Sequence, residues 1–433
     1  MRVLSLFDGM ACGMIAFKVA GIPIDSYDAY EIDKFAVQVA THNFPEIKEH
    51  GDVFKADFSE YEGVDYVIGG SPCTYWSIAQ SPDKRETTAS GIGWELFSQY
   101  VRAIKEAKPK YFIYENNKSM AKAIYDSISA TFGFEPIMIN SALVSAQNRE
   151  RYYWVGKRNE NGDYDKVMIE QPKDRGIMLK DILINPWERD MCSIPISDVG
   201  GESTTLTATA RHTCVHNIIA NTFQTSTGVA IRVMNYELES VNNTDSGVQA
   251  MLDMPGSHDI CRRVSGRNGK SRNITTGSGG NLEPKVFEKL RVRETTKQGY
   301  AEINVGECVD LEQPNSKTRR GWKMQDKSNA LTTQNEFYQY IGKTYEVKDG
   351  QIEVKGKKYP IKLSDGLYVV RKLSVDECKS LQTVPDWYDM TCISNSQAYK
   401  CLGNGWTIEV ISHLIRATQE GKIEAKQLTF WEV

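Results

Sequence analysis

Tyr66-Val67-Ile68-Gly69-Gly70-Ser71-Pro72-Cys73 carries an apolar strand into a Gly-Gly/Pro turn and leaves a cysteine at that turn. A soft nucleophile at the carboxyl end of a strand stands where an α/β enzyme places covalent chemistry. The pattern on either side of it is strand and helix in alternation. Val3 to Phe7, Ser26 to Glu31, Val64 to Gly69, Lys110 to Glu115 and Tyr152 to Gly156 are short apolar runs of strand type. Met14 to Ala20, Phe35 to His42, Glu95 to Ala107 and Met120 to Phe132 have helical spacing, with Gly21, Pro45 and Pro109 as stops. Short strands between helices predict an α/β fold, with a mainly parallel sheet covered on both faces.

The chain has 433 residues, enough for a catalytic domain and a smaller second one. The alternation holds over residues 1–156. Residues 157–370 turn rich in Thr, Ser, Asn and Gly, and 371–433 return to helix in Val375 to Leu381 and Thr407 to Gln419. The middle therefore reads as an insertion, with the last segment rejoining the first domain. Within it, Tyr338 to Lys357 has hairpin character around an Asp349-Gly350 turn. Glu202 to Ala208 resembles Lys327 to Thr333, as a degenerate repeat or as two Thr-rich turns.

Composition narrows the class. Hydrophobic residues make 40% and charged ones 25%, as in globular proteins, and no apolar run is long enough to span a bilayer. A core strand beginning at Val3 leaves no room for a leader, so a cytoplasmic location beside DNA is expected. Nine cysteines without CxxC spacing make a metal site or disulfide framework a poor expectation. The net charge is −4, yet residues 262–297 hold ten Lys/Arg against three acidic residues. A basic patch on a mildly acidic body is compatible with phosphate contact. Arg262, Arg263, Arg267 and Arg272, and later Arg319 and Arg320, are its candidate contacts.

Phe7-Asp8-Gly9-Met10-Ala11-Cys12-Gly13 is a strand-to-helix turn whose glycines allow a ligand near the backbone. It is not GxGxxG, and Asp8 would repel a pyrophosphate. An acidic turn suits a cofactor with a cationic amino-acid tail. Glu31 ends the second strand, where it can accept from both ribose hydroxyls, and Asp52 can meet an adenine amino group. S-adenosylmethionine satisfies all three positions. The competing reading makes Asp8 a helix cap and Glu31 a solvated strand end.

Pyrimidine C5 is a poor nucleophile until a thiolate adds to C6. That step needs a low-pKa thiol and an acid at N3. Cys73 fits the first role, its thiol helped by turn amides and a following helix N-terminus. Glu115, at the end of a neighbouring strand, fits the second. In Gln147-Asn148-Arg149-Glu150-Arg151, alternation puts Gln147, Arg149 and Arg151 on one side.

These pieces, in this order, resemble the DNA cytosine-5 methyltransferases. Residues 3–13 match the family's cofactor-binding opening, Gly69 to Ser77 its nucleophile loop, and Glu115-Asn116-Asn117 its glutamate motif. Gln147 to Arg151 match its Gln-x-Arg-x-Arg motif. Arg371 to Glu377 with Leu381 to Pro385 match the pre-terminal motif, and Gly403-Asn404-Gly405 the last one. The resemblance implies a Rossmann-like S-adenosylmethionine-dependent methyltransferase fold with a smaller, irregular β-rich target-recognition domain. It implies a donor pocket of Phe7, Asp8, Gly9, Gly13, Glu31, Ile32, Asp52, Val53, Ser71, Pro72 and Asn404. It also implies Cys73 as nucleophile, Glu115 at N3, and Arg149 and Arg151 around a cytosine flipped from duplex DNA, with Thr74, Ser77 and Gln147 near the DNA.

The pattern is not uniform. Ser71 stands where proline is commoner, Thr74 where glutamine is frequent, Asn117 where valine is usual, and Gly405-Trp406 replaces a small and an aliphatic residue. Two other readings stay open: the same chemistry on RNA, and a DNA-binding relative without turnover. A bacterial or phage source, a monomer, and a separately encoded restriction endonuclease as partner complete the expectations.

Overall fold

A computed structural model describes residues 1–77, 84–183, 212–214, 231–232, 237–274, 283–289, 291–293, 300–302, 308–310, 322–324, 340–341 and 344–420. The chain divides into two compact units. The first comprises Met1–Ile177, Asn273–Gly279 and Cys378–Val433; the second comprises Met178–Arg272 and Gly280–Glu377.

The first unit is built on an eight-stranded sheet. Its strands are β1 (Arg2–Leu6), β2 (Ser26–Tyr30), β3 (Lys48–Glu49), β4 (Tyr66–Gly69), β5 (Tyr111–Asn117), β6 (Ile137–Asn140), β7 (Glu150–Arg158) and β8 (Tyr164–Lys166). The order is β3-β2-β1-β4-β5-β7-β6, with β8 on the edge of β7. The first five pair parallel; β7 runs antiparallel to β5, β6 and β8. Strands β1, β4 and β5 are buried almost throughout, which is why they read as continuous apolar runs rather than alternating ones.

Helices α1 (Cys12–Ala20), α2 (Lys34–Asn43), α3 (Gly91–Ala107) and α4 (Lys122–Phe132) make the crossovers. The C-terminal segment adds α5 (Asn395–Asn404) and α6 (Ile408–Glu420). It packs onto α1 and the turn before it: Tyr388 OH donates to the Met10 carbonyl at 2.6 Å and Ser412 Oγ to that of Ala16 at 2.8 Å. The first unit runs past Gly156 because β8 pairs with the end of β7.

The second unit carries another eight-stranded sheet. Its strands are β9 (Leu238–Val241), β10 (Val248–Leu252), β11 (Arg263–Ser265), β12 (Lys285–Lys289), β13 (Thr344–Lys348), β14 (Gln351–Val354), β15 (Lys357–Pro360) and β16 (Gly366–Lys372). The order is β9-β10-β11-β12-β16-β13-β14-β15. The expected hairpin is present as β13 and β14, with Asp349 and Gly350 at φ of 52° and 66°, the backbone a tight hairpin turn demands. Arg371 of β16 is buried between Glu288 at 2.7 Å and Glu377 at 2.8 Å. This holds Arg371 to Glu377, the first half of the pre-terminal motif, within the second unit, while Leu381 to Pro385 belong to the first. The two Thr-rich fragments, Glu202 to Ala208 and Lys327 to Thr333, lie outside the described residues. Among the described residues no helix is long and apolar enough to cross a membrane.

Candidate active site

The β1-to-α1 turn has a left-handed backbone at Phe7, Gly9 and Ala11 (φ 56°, 61° and 60°). Two of these are not glycine, a strain that persists only where the surroundings fix it. Asp8 does not cap α1. It is 7% exposed, and its Oδ1 accepts from Ser5 Oγ and Tyr27 OH, each at 2.5 Å. Oδ2 is buried with no partner among the described residues. Burial, opposed in part by those two hydrogen bonds, pushes the carboxyl up to about 6. Packing alone requires a glycine at position 13: a Cβ there would lie 2.3 Å from Ile68 Cδ1 and 2.6 Å from Tyr27 OH.

Glu31 is neither a solvated strand end nor a free acceptor for two hydroxyls. Its Oε1 accepts from the amides of Ile32 and Asp33, and Oε2 from that of Gly9, all at 2.8 Å. A carboxylate offers about four acceptor positions, so one remains for a ribose hydroxyl. Asp52 caps the turn Val53–Lys55 through the Phe54 amide at 3.0 Å. Val53 is buried in the core, whereas Ile32 is 79% exposed and offers an open apolar face.

Glu49 was not singled out from the sequence. It sits opposite Ala29 in the β2–β3 register, both carboxylate oxygens buried without a partner among the described residues. Burial first, then the charges of Asp8 and Glu31, raise it to about 8. Orphaned acidic oxygens beside a glycine turn are the acceptor set that a cationic amino-acid tail satisfies, so these residues fit S-adenosylmethionine. No periodicity marks Glu49; only the short strand β3, too brief to read from sequence, aligns it.

At the reactive end, β4 delivers Gly70, Ser71 and Pro72 to a one-turn helix, Cys73–Tyr75. The element after Cys73 is thus a three-residue turn; α3 begins only at Gly91. Cys73 is described by its backbone alone. Ser71 is buried and locks this loop to β5: its Oγ meets Tyr114 OH at 2.6 Å, and its carbonyl accepts from Asn116 Nδ2 at 3.1 Å. Gly70 lies against Glu115, where a Cβ would fall 2.8 Å from both the Glu115 carbonyl oxygen and Oε2. Pro72 and Thr74 are exposed and Ser77 is half-buried.

Glu115 is 9% exposed and held at both oxygens. Arg151 Nε pairs with Oε1 at 2.9 Å, and Trp406 Nε1 donates to Oε2 at 3.1 Å. The register explains the first contact: Arg151 faces Asn117, two residues from Glu115 on the same side of the strand. Arg149 differs from expectation. Its guanidinium donates to the carbonyls of Gly403 at 3.3 Å and Gly405 at 2.7 Å, so it braces the turn around the exposed Asn404. Gln147 is fully buried with neither amide atom partnered among the described residues. Asn117 accepts from Ser119 Oγ at 3.0 Å, closing the turn after β5.

In the second unit, Arg262 pairs with Glu239 and donates to the Leu252 carbonyl, and Arg263 pairs with Asp259. Arg267 instead lines an open cavity of about 340 Å³ with Lys180, Lys289 and Lys362. Lys289 is neutralised by Glu302 at 2.7 Å. Arg272 lies beside Lys285, which burial, with Arg272 and Lys372 adding to it, pushes down to about 7. Arg319 and Arg320 lie outside the described residues.

The family profile described as C-5 cytosine-specific DNA methylase matches residues 1–420. Similar proteins include the orphan methyltransferase M.SPRI of Bacillus phage SPR, 26% identical over 96% of this chain and 97% of the relative. M.Rho11sI of Bacillus phage rho11s is 25% identical over the same shares. Among solved structures, the Entamoeba histolytica methyltransferase EhMeth (11% identity, TM-score 0.48) covers 97% of this chain and 98% of its own. The S. pombe Dnmt2 methyltransferase (14%, TM-score 0.44) covers 97% and 99%. With the profile spanning nearly the whole length, this chain belongs to the C-5 cytosine-specific DNA methylases, which transfer a methyl group from S-adenosylmethionine to C5 of a cytosine flipped out of duplex DNA.

Proposed function

We propose that Cys73 is the nucleophile and Glu115 the N3 acid of this reaction. The observation that carries the assignment is the double tie between the loop and β5. Ser71 bonded to Asn116 and Tyr114, and Gly70 against Glu115, hold the backbone bearing Cys73 beside the buried carboxyl. Both stand at the carboxyl ends of adjacent parallel strands. The Cys73 thiolate would bond to cytosine C6 while Glu115 hands N3 a proton, which makes C5 nucleophilic. Once C5 has taken the methyl group, loss of the C5 proton to a base expels the sulfur from C6, and N3 returns its proton to Glu115, which restores the ring. Arg151 fixes Glu115 from one side, and Arg149 acts by shaping the Asn404 turn.

Bound S-adenosylmethionine would supply the methyl group. Asp8 and Glu49 would receive its ammonium, Glu31 a ribose hydroxyl, Asp52 the adenine amino group, and Ile32 the adenine face. The second unit would hold the duplex, with Arg267 and its neighbouring lysines on phosphate. The named relatives are described as orphan methyltransferases, which favours action without a paired endonuclease; a monomer in the cytoplasm of a bacterium or an infected host belongs to the same proposal. The size and local basicity of the inserted segment favour DNA over RNA.

The test is bisulfite sequencing of DNA from a host expressing the chain or its Cys73→Ser variant. Site-specific protection with the wild type and none with Cys73→Ser, at retained DNA binding, is expected. Unmethylated DNA from the wild type, or protection with the variant, would overturn the assignment.

A further inference from the structure

We propose that Trp406 is a positioning residue that fixes where the acidic proton of Glu115 points; this rests on the role proposed for Glu115. The two oxygens of Glu115 are held by different kinds of donor. Oε1 meets Arg151, a cation that keeps its protons at every relevant pH, at 2.9 Å. Oε2 meets the indole N–H of Trp406 at 3.1 Å. The proton that goes to N3 therefore rides on Oε2, because a proton on Oε1 would face Arg151. Indole is a donor with no acceptor. A hydroxyl at Oε2 cannot aim its hydrogen at Trp406, whose N–H already fills one lone pair. The hydrogen is driven to the other direction, away from the indole.

The surroundings leave little freedom. Trp406 is 9% exposed, and its own amide donates to Cys12 Sγ at 3.3 Å. Arg149 anchors the preceding residue through the Gly405 carbonyl, and Gly70 closes on Oε2 from the nucleophile loop. An aliphatic side chain at position 406 would supply no donor to Oε2. The departure from the family pattern at Gly405-Trp406 thus places an indole N–H on the acid.

Hydrogen exchange at C5 isolates this step without methyl transfer. The thiolate adds to C6, N3 takes the Glu115 proton, C5 takes a proton from water, the original C5 hydrogen leaves to water, and the S–C6 bond breaks as N3 returns its proton to Glu115. The experiment measures tritium release from duplex DNA labelled at cytosine C5, for wild type, Trp406→Phe, Glu115→Gln and the double variant. The dissociation constant for S-adenosylhomocysteine is measured alongside. Trp406→Phe is expected to slow release by about tenfold to a hundredfold, the worth of one hydrogen bond to a charged group. Binding of S-adenosylhomocysteine should stay within about twofold, and Trp406→Phe should add no further loss in the Glu115→Gln background. Unchanged release would overturn the inference, as would weakened binding that accounts for the whole effect, or full additivity with Glu115→Gln. No release from the wild type would instead overturn the Glu115 assignment itself. If Trp406→Phe is too unstable to assay, 3-benzothienylalanine at position 406 keeps the ring shape, lacks only the N–H, and is read by the same criteria.

Discussion

Replacing Asp8 by Asn should change how stability depends on pH. Burial raises the folded-state carboxyl to about 6 from an ordinary 3.8. The folded protein therefore holds a proton that the unfolded chain has released, and stability falls as pH rises between those values. Well above pH 6 the full cost is about 3 kcal/mol, from a shift of about two units. Roughly half is incurred by pH 5, so the rest, about 1–2 kcal/mol, accrues between pH 5 and pH 8. Asn keeps an oxygen for Ser5 and Tyr27 but cannot ionise. Its amide adds a constant penalty for a buried unpaired donor, which does not vary with pH. Urea unfolding of the ligand-free protein at several pH values measures the difference. The stability of wild type minus Asp8→Asn should fall by about 1–2 kcal/mol from pH 5 to pH 8. A difference flat across that range would refute the claim that Asp8 is held at an energetic cost, and with it the account of why an incoming ammonium is welcomed there.

Gly13→Ala forces a methyl group to 2.3 Å from Ile68 Cδ1; calorimetry should show a loss of about 1–3 kcal/mol, as for overpacked cores. Arg267→Ala with Lys362→Ala should weaken duplex binding similarly for all sequences. The slope of log K against log salt should lessen by about 2, one per phosphate contact removed; an unchanged slope would take the cavity out of the DNA interface.

The helix and strand periods were legible wherever the element was long or fully apolar. β1, β4 and β5 read correctly because burial on both faces leaves a continuous apolar signature. β3 is two residues long, and β6 and β8 are edge strands with half-exposed patterns, so neither length nor alternation marks them. α5 escaped notice because its residues are largely polar, buried only at Ala398, Cys401, Leu402 and Gly403. Cys73 and Glu115 could be named from type and position at strand ends. What those residues touch could not. The carbonyl acceptors of Arg149 could not be read, since only the packed C-terminal turn supplies them. Trp406 and Glu49 depend on contacts across hundreds of residues or on a strand too short to see.

The C-terminal segment has a consequence for synthesis. Contacts such as Tyr388 with Met10 and Ser412 with Ala16 join residues almost the whole chain apart. Loop closure on that scale comes late in folding. While it is still on the ribosome, a chain that has emerged only through its second unit lacks both Trp406 and the turn at Asn404. Premature termination within the inserted segment would therefore release a polypeptide with its cysteine in place and its acid held by Arg151 alone, so DNA can be marked only after the segment bearing Trp406 has been made.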